Sequence, residues 1–207
     1  AGGTAVVADW DGNGIEDIGS FDAGTGTLRR DLNSDRTFTA NEQTRFVVQS
    51  ELTDQPFTGD FAAAAGEEFG LYRRTTGEFF LDSNDSGLLD PVESLDRWVR
   101  ARTALVADWD GDGDDDVGSY ESDTGVLWRD LNDNSLFQLS AQTFLQTPLP
   151  TFDPEMTDQP LIGDFSVATA GLEFALYRPS TGEFFLDLNA DGAFATTEVI
   201  RTWVRGG

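Results

Sequence analysis

Short apolar segments separated by polar turns run through the whole chain, and they have the length of β-strands rather than of helices. The runs AVVADW and TALVADW each lead into an acidic stretch, and a second short run follows as IGSF, FGLY, VGSY or FALY. In this second run a small and an aromatic residue stand two positions apart, as do Gly70 and Tyr72, so both lie on one face of a strand. A Thr-Gly pair such as Thr76-Gly77 follows and predicts a hairpin turn. A third strand, carrying Phe79 in this copy, and a fourth strand (RFVVQ, RWVRA, TFLQT or TWVRG) complete the pattern.

This order of elements occurs four times. The segment 107–137 closely resembles 8–38, and 163–194 closely resembles 59–90. The chain therefore consists of units of about 50 residues in an ABAB order. Four short antiparallel strands in a unit of that length are typical of a propeller blade. We predict an all-β fold, a four-bladed β-propeller that forms a single domain over 1–207, with blades near 1–58, 59–106, 107–162 and 163–207.

An acidic loop joins the first and second predicted strands of units one and three. Side-chain oxygens recur at positions 1, 3, 5 and 9, a glycine stands at position 6, and position 7 offers its backbone carbonyl. Such a loop can wrap a Ca²⁺ ion, which takes six to eight oxygen ligands. The predicted ligands are Asp9, Asp11, Asn13, Ile15 and Asp17 in unit one, and Asp108, Asp110, Asp112, Asp114 and Asp116 in unit three. Units two and four keep only two outer acids each, so we expect no ion there: Asp60 with Glu68, and Asp164 with Glu173.

A second acidic loop joins strands three and four, and in unit four it matches the twelve-residue EF-hand pattern throughout. Position 7 again offers a carbonyl. The predicted ligands are Asp187, Asn189, Asp191, Ala193 and Glu198 in unit four; Asp82, Asn84, Ser86, Leu88 and Glu93 in unit two; and Asp31, Asn33, Asp35, Thr37 and Glu42 in unit one. In unit two Ser86 replaces an acid at position 5, and in unit one Arg36 stands at position 6, where glycine is preferred. Unit three is the weakest copy, because Asp130, Asn132 and Asn134 are followed by Ala141 at the position of the glutamate.

Asp, Asn and Gly also form turns without any ion. For a single stretch this interpretation is as good as a metal site, but four copies together with the two first loops favour calcium. Magnesium fits less well, since it prefers fewer carboxylates and retains its waters. The predicted cofactor is therefore Ca²⁺, with several ions bound.

The phrase ADWDGDGDDDVGSY, together with LYRPSTGEFFLDLNADG, resembles FG-GAP or VCBS-type repeats. Such repeats form propeller blades in integrin alpha subunits and in secreted bacterial proteins, with calcium in the loop after the first strand. The resemblance implies the same role for the first-loop acids of units one and three. Two features depart from it: integrin propellers have seven blades, and the EF-hand-like loop is not a standard part of the repeat.

Amino-acid composition excludes several classes of ligand and catalytic site. The chain of 207 residues carries a net charge of −25, which would repel nucleic acid and anionic membranes. It contains no Cys and no His, which excludes His-activated nucleophiles and the usual ligands of zinc and copper. No apolar run reaches the length of a transmembrane helix. The start AGGTAVVADW lacks the pattern of a signal peptide, so we expect a mature form or a domain of a larger surface protein.

Other recurrent residues have two interpretations. An aromatic residue after each landmark aspartate could stack on sugars, but packing between blades is the more common role; these residues are Trp10, Phe61, Trp109 and Phe165. Recurrent arginines could bind an anion, but pairing with nearby carboxylates is favoured; these are Arg30, Arg73, Arg129 and Arg178. The adjacent acids Asp115 and Asp116 could serve acid-base catalysis, but their place in a metal loop argues against it.

The leading functional hypothesis is a non-catalytic, calcium-stabilised extracellular or cell-surface module, monomeric, that binds a carbohydrate or protein partner. Weak extracellular calcium sites need roughly 0.1–1 mM ion, which the cytosol does not supply. One alternative is a carbohydrate-active enzyme, such as a polysaccharide lyase or glycosidase, or its accessory domain. Another is a structural spacer without a ligand.

The strand order also predicts where the loops lie. In an antiparallel four-stranded blade the 1–2 and 3–4 connections share one end, and the 2–3 turn lies at the other. Both acidic loop types should therefore lie together, with the Thr-Gly turns and the TDQP segments at the opposite end.

Overall fold

A computed structural model describes residues 3–33, 35–45, 53–61, 66–84, 86, 94–97, 103–130, 145–146, 155–166, 172–189 and 194–200. These residues form four antiparallel sheets of four strands each, and the strands of every sheet follow one another in chain order. The all-β prediction and the four units of four strands are confirmed. Among the described residues, no helix is long and apolar enough to cross a membrane.

The strands have the following bounds. Sheet one consists of β1 (Thr4–Ala8), β2 (Asp17–Asp22), β3 (Thr27–Arg30) and β4 (Gln43–Arg45). Sheet two consists of β5 (Gln55–Gly59), β6 (Glu68–Arg73), β7 (Glu78–Asp82) and β8 (Ser94–Arg97). Sheet three consists of β9 (Thr103–Ala107), β10 (Asp116–Glu121), β11 (Val126–Arg129) and β12 (Leu145–Gln146). Sheet four consists of β13 (Gln159–Gly163), β14 (Glu173–Arg178), β15 (Glu183–Leu186) and β16 (Val199–Ile200). Short 3-10 turns at Ala40–Glu42 and Thr196–Glu198 precede β4 and β16.

The first strands begin earlier than the repeat boundaries at 59, 107 and 163. The boundaries near those positions cut through β5, β9 and β13, because they fall one residue before the aspartate that follows each of these strands. In sheets two and four the Gln-Pro of the TDQP segment belongs to the strand, and Pro56 pairs with Leu71. Proline lacks an N–H donor, but an edge strand tolerates it.

Three of the fourth strands, β4, β8 and β16, also begin earlier than predicted, whereas β12 lies within the predicted TFLQT. β4 starts at Gln43, directly after the 3-10 turn, where RFVVQ starts at Arg45. Pairing with β3 fixes this start, because Leu28 lies opposite Thr44. β8 and β16 are shifted in the same direction. The rest of RFVVQ and RWVRA and the whole of TWVRG lie outside the described residues. The apolar side chains shifted the prediction toward the later residues, whereas backbone pairing with β3 fixes the polar start of β4.

The predicted Thr-Gly turns join the second and third strands of every sheet. Gly26, Gly77, Gly125 and Gly182 all have positive φ, between 67° and 79°. The N–H of Gly77 donates to the carbonyl oxygen of Arg73 at 2.7 Å, which closes a four-residue loop. Glycine reaches this backbone region without the steric penalty of other residues.

The described residues divide into two compact units, Ala1–Ala101 and Arg102–Gly207, each with two sheets. In the first unit the core comes from both sheets, and the rings of Phe21 and Phe69 lie 5.3 Å apart. In the second unit the corresponding rings of Tyr120 and Phe174 lie 5.4 Å apart in a similar core. An A-type sheet therefore packs face to face on a B-type sheet in each unit. The closed ring over 1–207 stays a prediction.

The column of small residues on the second strands has a steric reason. A side chain at Gly70 would begin 2.1 Å from the ring of Phe57, which lies across the neighbouring strand. The ring needs this space, because Phe57 belongs to the buried apolar residues of sheet two.

Candidate metal centre

The first loop of sheet one folds around Asp9. Oδ1 of Asp9 accepts the N–H of Asn13 at 3.0 Å, and Oδ2 accepts the N–H of Gly14 at 2.7 Å. Gly12 and Gly14 have positive φ, which lets the backbone bend sharply back toward Asp9. As a result Asp9, Asp11 and Asp17 each offer a carboxylate oxygen within 4.8 Å of the others. Ile15, predicted to offer its carbonyl, lies at the tip of the loop with an exposed side chain.

Asp17 is the buried member of this group, with only 3% of its surface exposed. Burial raises its pKa above the ordinary value, and the carboxylates of Asp11, Asp9 and Asp31 raise it further, in that order. A hydrogen bond from the backbone of Trp10 opposes this shift of the pKa. Among the residues that the structure describes, Oδ2 of Asp17 has no hydrogen-bond partner. In these surroundings the charged form of the Asp17 carboxylate is costly, and a nearby cation would stabilise it.

The first loop of sheet three has the same fold. Asp108 accepts the N–H groups of Gly111, Asp112 and Gly113 at 2.6, 3.1 and 3.1 Å. Here Asp108, Asp110 and Asp112 bring their oxygens within 4.8 Å of one another. Asp114 donates its N–H to Asp112 at 3.0 Å.

Asp116, the fourth predicted acid of this loop, lies outside that close group. It is buried, and its Oδ2 accepts the N–H of Trp109 at 3.0 Å, so it closes the loop. Asp17 has the same arrangement with Trp10 in sheet one.

The corresponding loops of sheets two and four are closed by glutamates. Glu68 accepts the N–H of Phe61 at 2.8 Å, and Glu173 accepts the N–H of Phe165 at 2.6 Å. These two acids therefore have a structural partner in the backbone. Residues 62–65 and 167–171 lie outside the described residues.

The second loop of sheet one folds around Asp31 in the same way as the first folds around Asp9. Asp31 accepts the N–H of Asp35 at 3.1 Å and that of Arg36 at 2.9 Å, and Asn33 accepts the N–H of Asp35 at 2.9 Å. Arg36 adopts φ 66°, the left-handed conformation that glycine normally supplies at this position of an EF-hand. The local hydrogen bonds to Asp31 thus hold the EF-hand-like turn even without glycine.

Glu42, at position 12, is buried and is the last residue of the 3-10 turn Ala40–Glu42, whose start it caps. Its Oε2 accepts the N–H and the hydroxyl of Thr39, both at 2.7 Å. Within the described part of the chain its Oε1 is buried without a hydrogen-bond partner. Hydrogen bonds from the hydroxyl and backbone of Thr37 lower the pKa of Asp35. Among the described residues, Asp31, Asp35 and Glu42 do not form a close group of three carboxylates, unlike the acids of the first loops.

The other second loops are described in part. In sheet two Asp82 and Asn84 both accept the N–H of Ser86 at 2.9 Å, which repeats the turn of sheet one. In sheet four the two oxygens of Glu198 accept the N–H groups of Leu188 and Ala195 at 3.2 and 2.7 Å. Asp187 and Asp130, the first residues of their loops, are buried, and Asn189 is among the described residues. The other predicted residues lie outside the described part of the chain: Leu88, Glu93, Asn132, Asn134, Ala141, Asp191 and Ala193.

Both loop types lie at the same end of each sheet, as predicted. The N–H of Asp130 donates to Val117 at 3.0 Å, next to Asp116, and that of Asp187 donates to Phe174 at 3.0 Å, next to Glu173. At the opposite end, Arg73 beside the Thr-Gly turn binds Asp54 of the TDQP segment at 3.1 Å.

The recurrent arginines all lie over aromatic rings, a contact that the sequence did not indicate. Arg30 and Arg129 lie 5.5 Å from the ring centres of Trp10 and Trp109, and Arg73 and Arg178 lie 4.9 Å from those of Phe80 and Phe185. Arg73 and Arg178 pair with Asp54 and Asp158, so the carboxylate interpretation is confirmed for these two.

Burial lowers the pKa of Arg129, whereas Asp187 and Asp116 raise it. This buried cation therefore partly offsets the charge of two loop acids.

The aromatic residues after the landmark aspartates also differ. Trp10 and Trp109 are buried in the two cores, so the packing interpretation is confirmed for both. Phe61 is half-buried, whereas Phe165 is exposed.

No family model matches this chain, and no curated protein matches it either.

Proposed function

We propose that the chain is a calcium-binding module whose fold is stabilised by ions in the acidic loops at one end of its sheets. The observation that supports it best is Asp17, a buried carboxylate with a free Oδ2 among the described residues, beside Asp9 and Asp11. Leaving such a group charged and unpaired is costly, and a cation beside it would remove that cost.

Calcium is the ion that best fits the available ligands. The two close groups consist of carboxylates alone, and the chain has neither His nor Cys to favour zinc or copper. Hard oxygen ligands in a flexible loop favour calcium over magnesium, which demands near-ideal octahedral geometry. In the second loops, the buried Oε1 of Glu42 supports a further ion in sheet one.

We further propose that the four sheets are the blades of one propeller of the FG-GAP or VCBS type. The face-to-face packing of two sheets in each unit is the packing that neighbouring blades use. The resemblance rests on the loop residues and on the repeat order.

The proposed role is non-catalytic binding of a carbohydrate or protein partner outside the cell. Calcium sites of the extracellular kind need about 0.1–1 mM ion. Oδ2 of Asp116, the acid that a catalytic pair with Asp115 would need, accepts the N–H of Trp109, so this acid has a structural role in its loop.

Isothermal titration of chelator-treated protein with calcium tests the proposal. We expect saturable binding that Asp17→Asn weakens, because the amide removes the buried charge that an ion would neutralise. Glu16→Gln is the matched control, since Glu16 is the exposed neighbour of Asp17. Absence of calcium binding by the unmodified protein, or equal losses in both variants, would contradict the proposal.

A further inference from the structure

The Asp9 loop of sheet one is held by a residue of sheet two. The N–H of Glu67 donates to the carbonyl oxygen of Asp9 at 2.9 Å, and the N–H of Asp9 donates to Oε2 of Glu67 at 3.3 Å. These two bonds join the first residue of an acidic loop to the neighbouring blade. Asp9 is also the residue whose carboxylate organises that loop through Asn13 and Gly14.

The backbones of the two sheets lie close together where Glu67 contacts Asp9. Gly66 has φ 104°, and a side chain there would begin 2.8 Å from the carbonyl oxygen of Trp10 and 3.2 Å from that of Asp9. Only glycine fits such a position without displacing the backbone. The contact is therefore a specific feature of this site and not a chance approach of two surface loops.

The second unit supplies a natural comparison. Its sheet four also donates a backbone N–H to the equivalent loop, from Leu172 to Asp108 at 3.4 Å. Leu172 occupies the position of Glu67 but packs against the apolar core, so it provides no carboxylate. Within the described part of the chain, the loop of sheet one thus gains an acidic side chain from its neighbour, and the equivalent position beside the loop of sheet three is Leu172.

We infer that Glu67 is a positioning residue of the Asp9 ion site, and that ion binding there stabilises the junction between the first two sheets. This inference rests on the proposed calcium binding. Residues that orient ligands from outside the coordination shell typically change metal affinity by 10–100-fold when replaced. Coupling is reciprocal, so an ion that tightens the Asp9 loop must also favour the contact with Glu67.

Site-resolved NMR titration with calcium separates the two loops in one sample. The amide of Gly14 reports on the Asp9 loop, and the amide of Gly113 reports on the Asp108 loop, because each donates to the leading aspartate. We expect Glu67→Leu, which copies Leu172, to weaken binding at Gly14 by about tenfold and to leave Gly113 unchanged. Glu67→Gln should retain most of the affinity, since its amide oxygen can still accept the N–H of Asp9.

Hydrogen exchange gives a readout that does not depend on calcium affinity. In ion-free protein, Glu67→Leu should speed exchange of the Asp9 amide, because its acceptor is lost. In the unmodified protein, calcium should slow exchange of the Glu67 amide in the neighbouring sheet. The exposed Glu16, changed to Gln, controls for a general loss of negative charge.

The outcomes distinguish the inference from the proposed function. A calcium response at Gly14 that is the same in Glu67→Leu and in the unmodified protein overturns the inference alone. Equal losses of calcium affinity at Gly14 in Glu67→Leu, Glu67→Gln and Glu16→Gln also overturn it. Such losses would show that affinity depends on the overall negative charge and not on the contact of Glu67 with Asp9. Absence of any response at both glycines in the unmodified protein contradicts the proposed function and, with it, this inference.

Discussion

The backbone N–H of Asp31 donates to the carbonyl oxygen of Ile18 at 3.0 Å, and this bond joins the two acidic loops of the first sheet. Asp31 opens the second loop, and Ile18 follows Asp17, the buried acid that ends the first. The proximity has an electrostatic consequence, because the charge of Asp31 helps to raise the pKa of Asp17. Acids of the two loops therefore repel one another across the end of the sheet, and cations bound there would relieve this repulsion.

Chelation should destabilise the protein. An ion that binds only the folded state at tenfold excess over its Kd stabilises it by about 1.4 kcal/mol per site. Several sites would then contribute a large part of the roughly 5–15 kcal/mol that holds a typical domain. Calorimetric scans should show a marked fall of Tm with chelator, recovery with calcium and poor recovery with magnesium. Identical scans with and without calcium would leave the acidic loops as solvated turns.

Single ligand changes should remove part of the calcium effect. Asp110→Ala removes one oxygen of the close group in sheet three, and Asn189→Ala removes one predicted ligand of the EF-hand-like loop. Each variant should show a smaller rise of Tm on adding calcium. Ser166→Ala, in the loop of sheet four that lacks the acids, is the control and should keep the full rise.

The ion-free protein should lose stability as pH rises through the raised pKa of Asp17. Between the ordinary value of 3.8 and the raised value, the folded state binds more protons than the unfolded state, so stability falls with rising pH. Asp17→Asn removes this loss, so the ion-free variant should melt higher than the unmodified protein near pH 7. With calcium the order should reverse, because the ion requires the carboxylate. Thermal melts over pH 4–8, with and without calcium, test this, and an Asp17→Asn variant that keeps the full calcium effect would contradict it.

Arg73→Ala should destabilise the protein strongly. Its guanidinium binds both oxygens of Asp54, whose side chain is completely buried. Removing one partner of such a pair costs about 3–5 kcal/mol, because a buried charge remains without compensation. Arg74→Ala, at the exposed neighbouring position, should change the free energy of unfolding by less than about 0.5 kcal/mol. Urea denaturation measures both, and equal small losses would show that the pair contributes little.

Closure of the four sheets predicts a monomer. A closed ring leaves no open sheet face to pair with another molecule. Light scattering at micromolar concentration should therefore give the chain mass of 22.6 kDa. Twice that mass at all dilutions would favour a half-ring that forms a dimer.

The sequence by itself determined the repeated elements. The ABAB order, the second and third strands and the glycine turns could all be predicted, because each depends on a local pattern. Gly77, for example, is needed for its positive φ whatever lies around it. The grouping of Asp9, Asp11 and Asp17 could be predicted for the same reason, since a short loop with alternating acids brings its own oxygens together.

The tertiary structure decided what depends on neighbours distant in the chain. The starts of β4 and β5 follow from pairing with β3 and β6, and side-chain hydrophobicity does not show where that pairing begins. Sequence could not show that Oδ2 of Asp17 is buried without a hydrogen-bond partner among the described residues, because burial comes from packing of the sheets.

The sequence also did not predict the contacts of Glu67 with Asp9 and of Arg73 with Asp54. Glu67 and Asp9 lie 58 residues apart, and nothing in either segment marks the other as its partner. Local sequence fixes backbone conformation within a loop or turn, whereas the packing of one sheet against another selects which loops meet. The acidic loops were therefore evident from the sequence, and the residues that position and neutralise them became evident only in the folded chain.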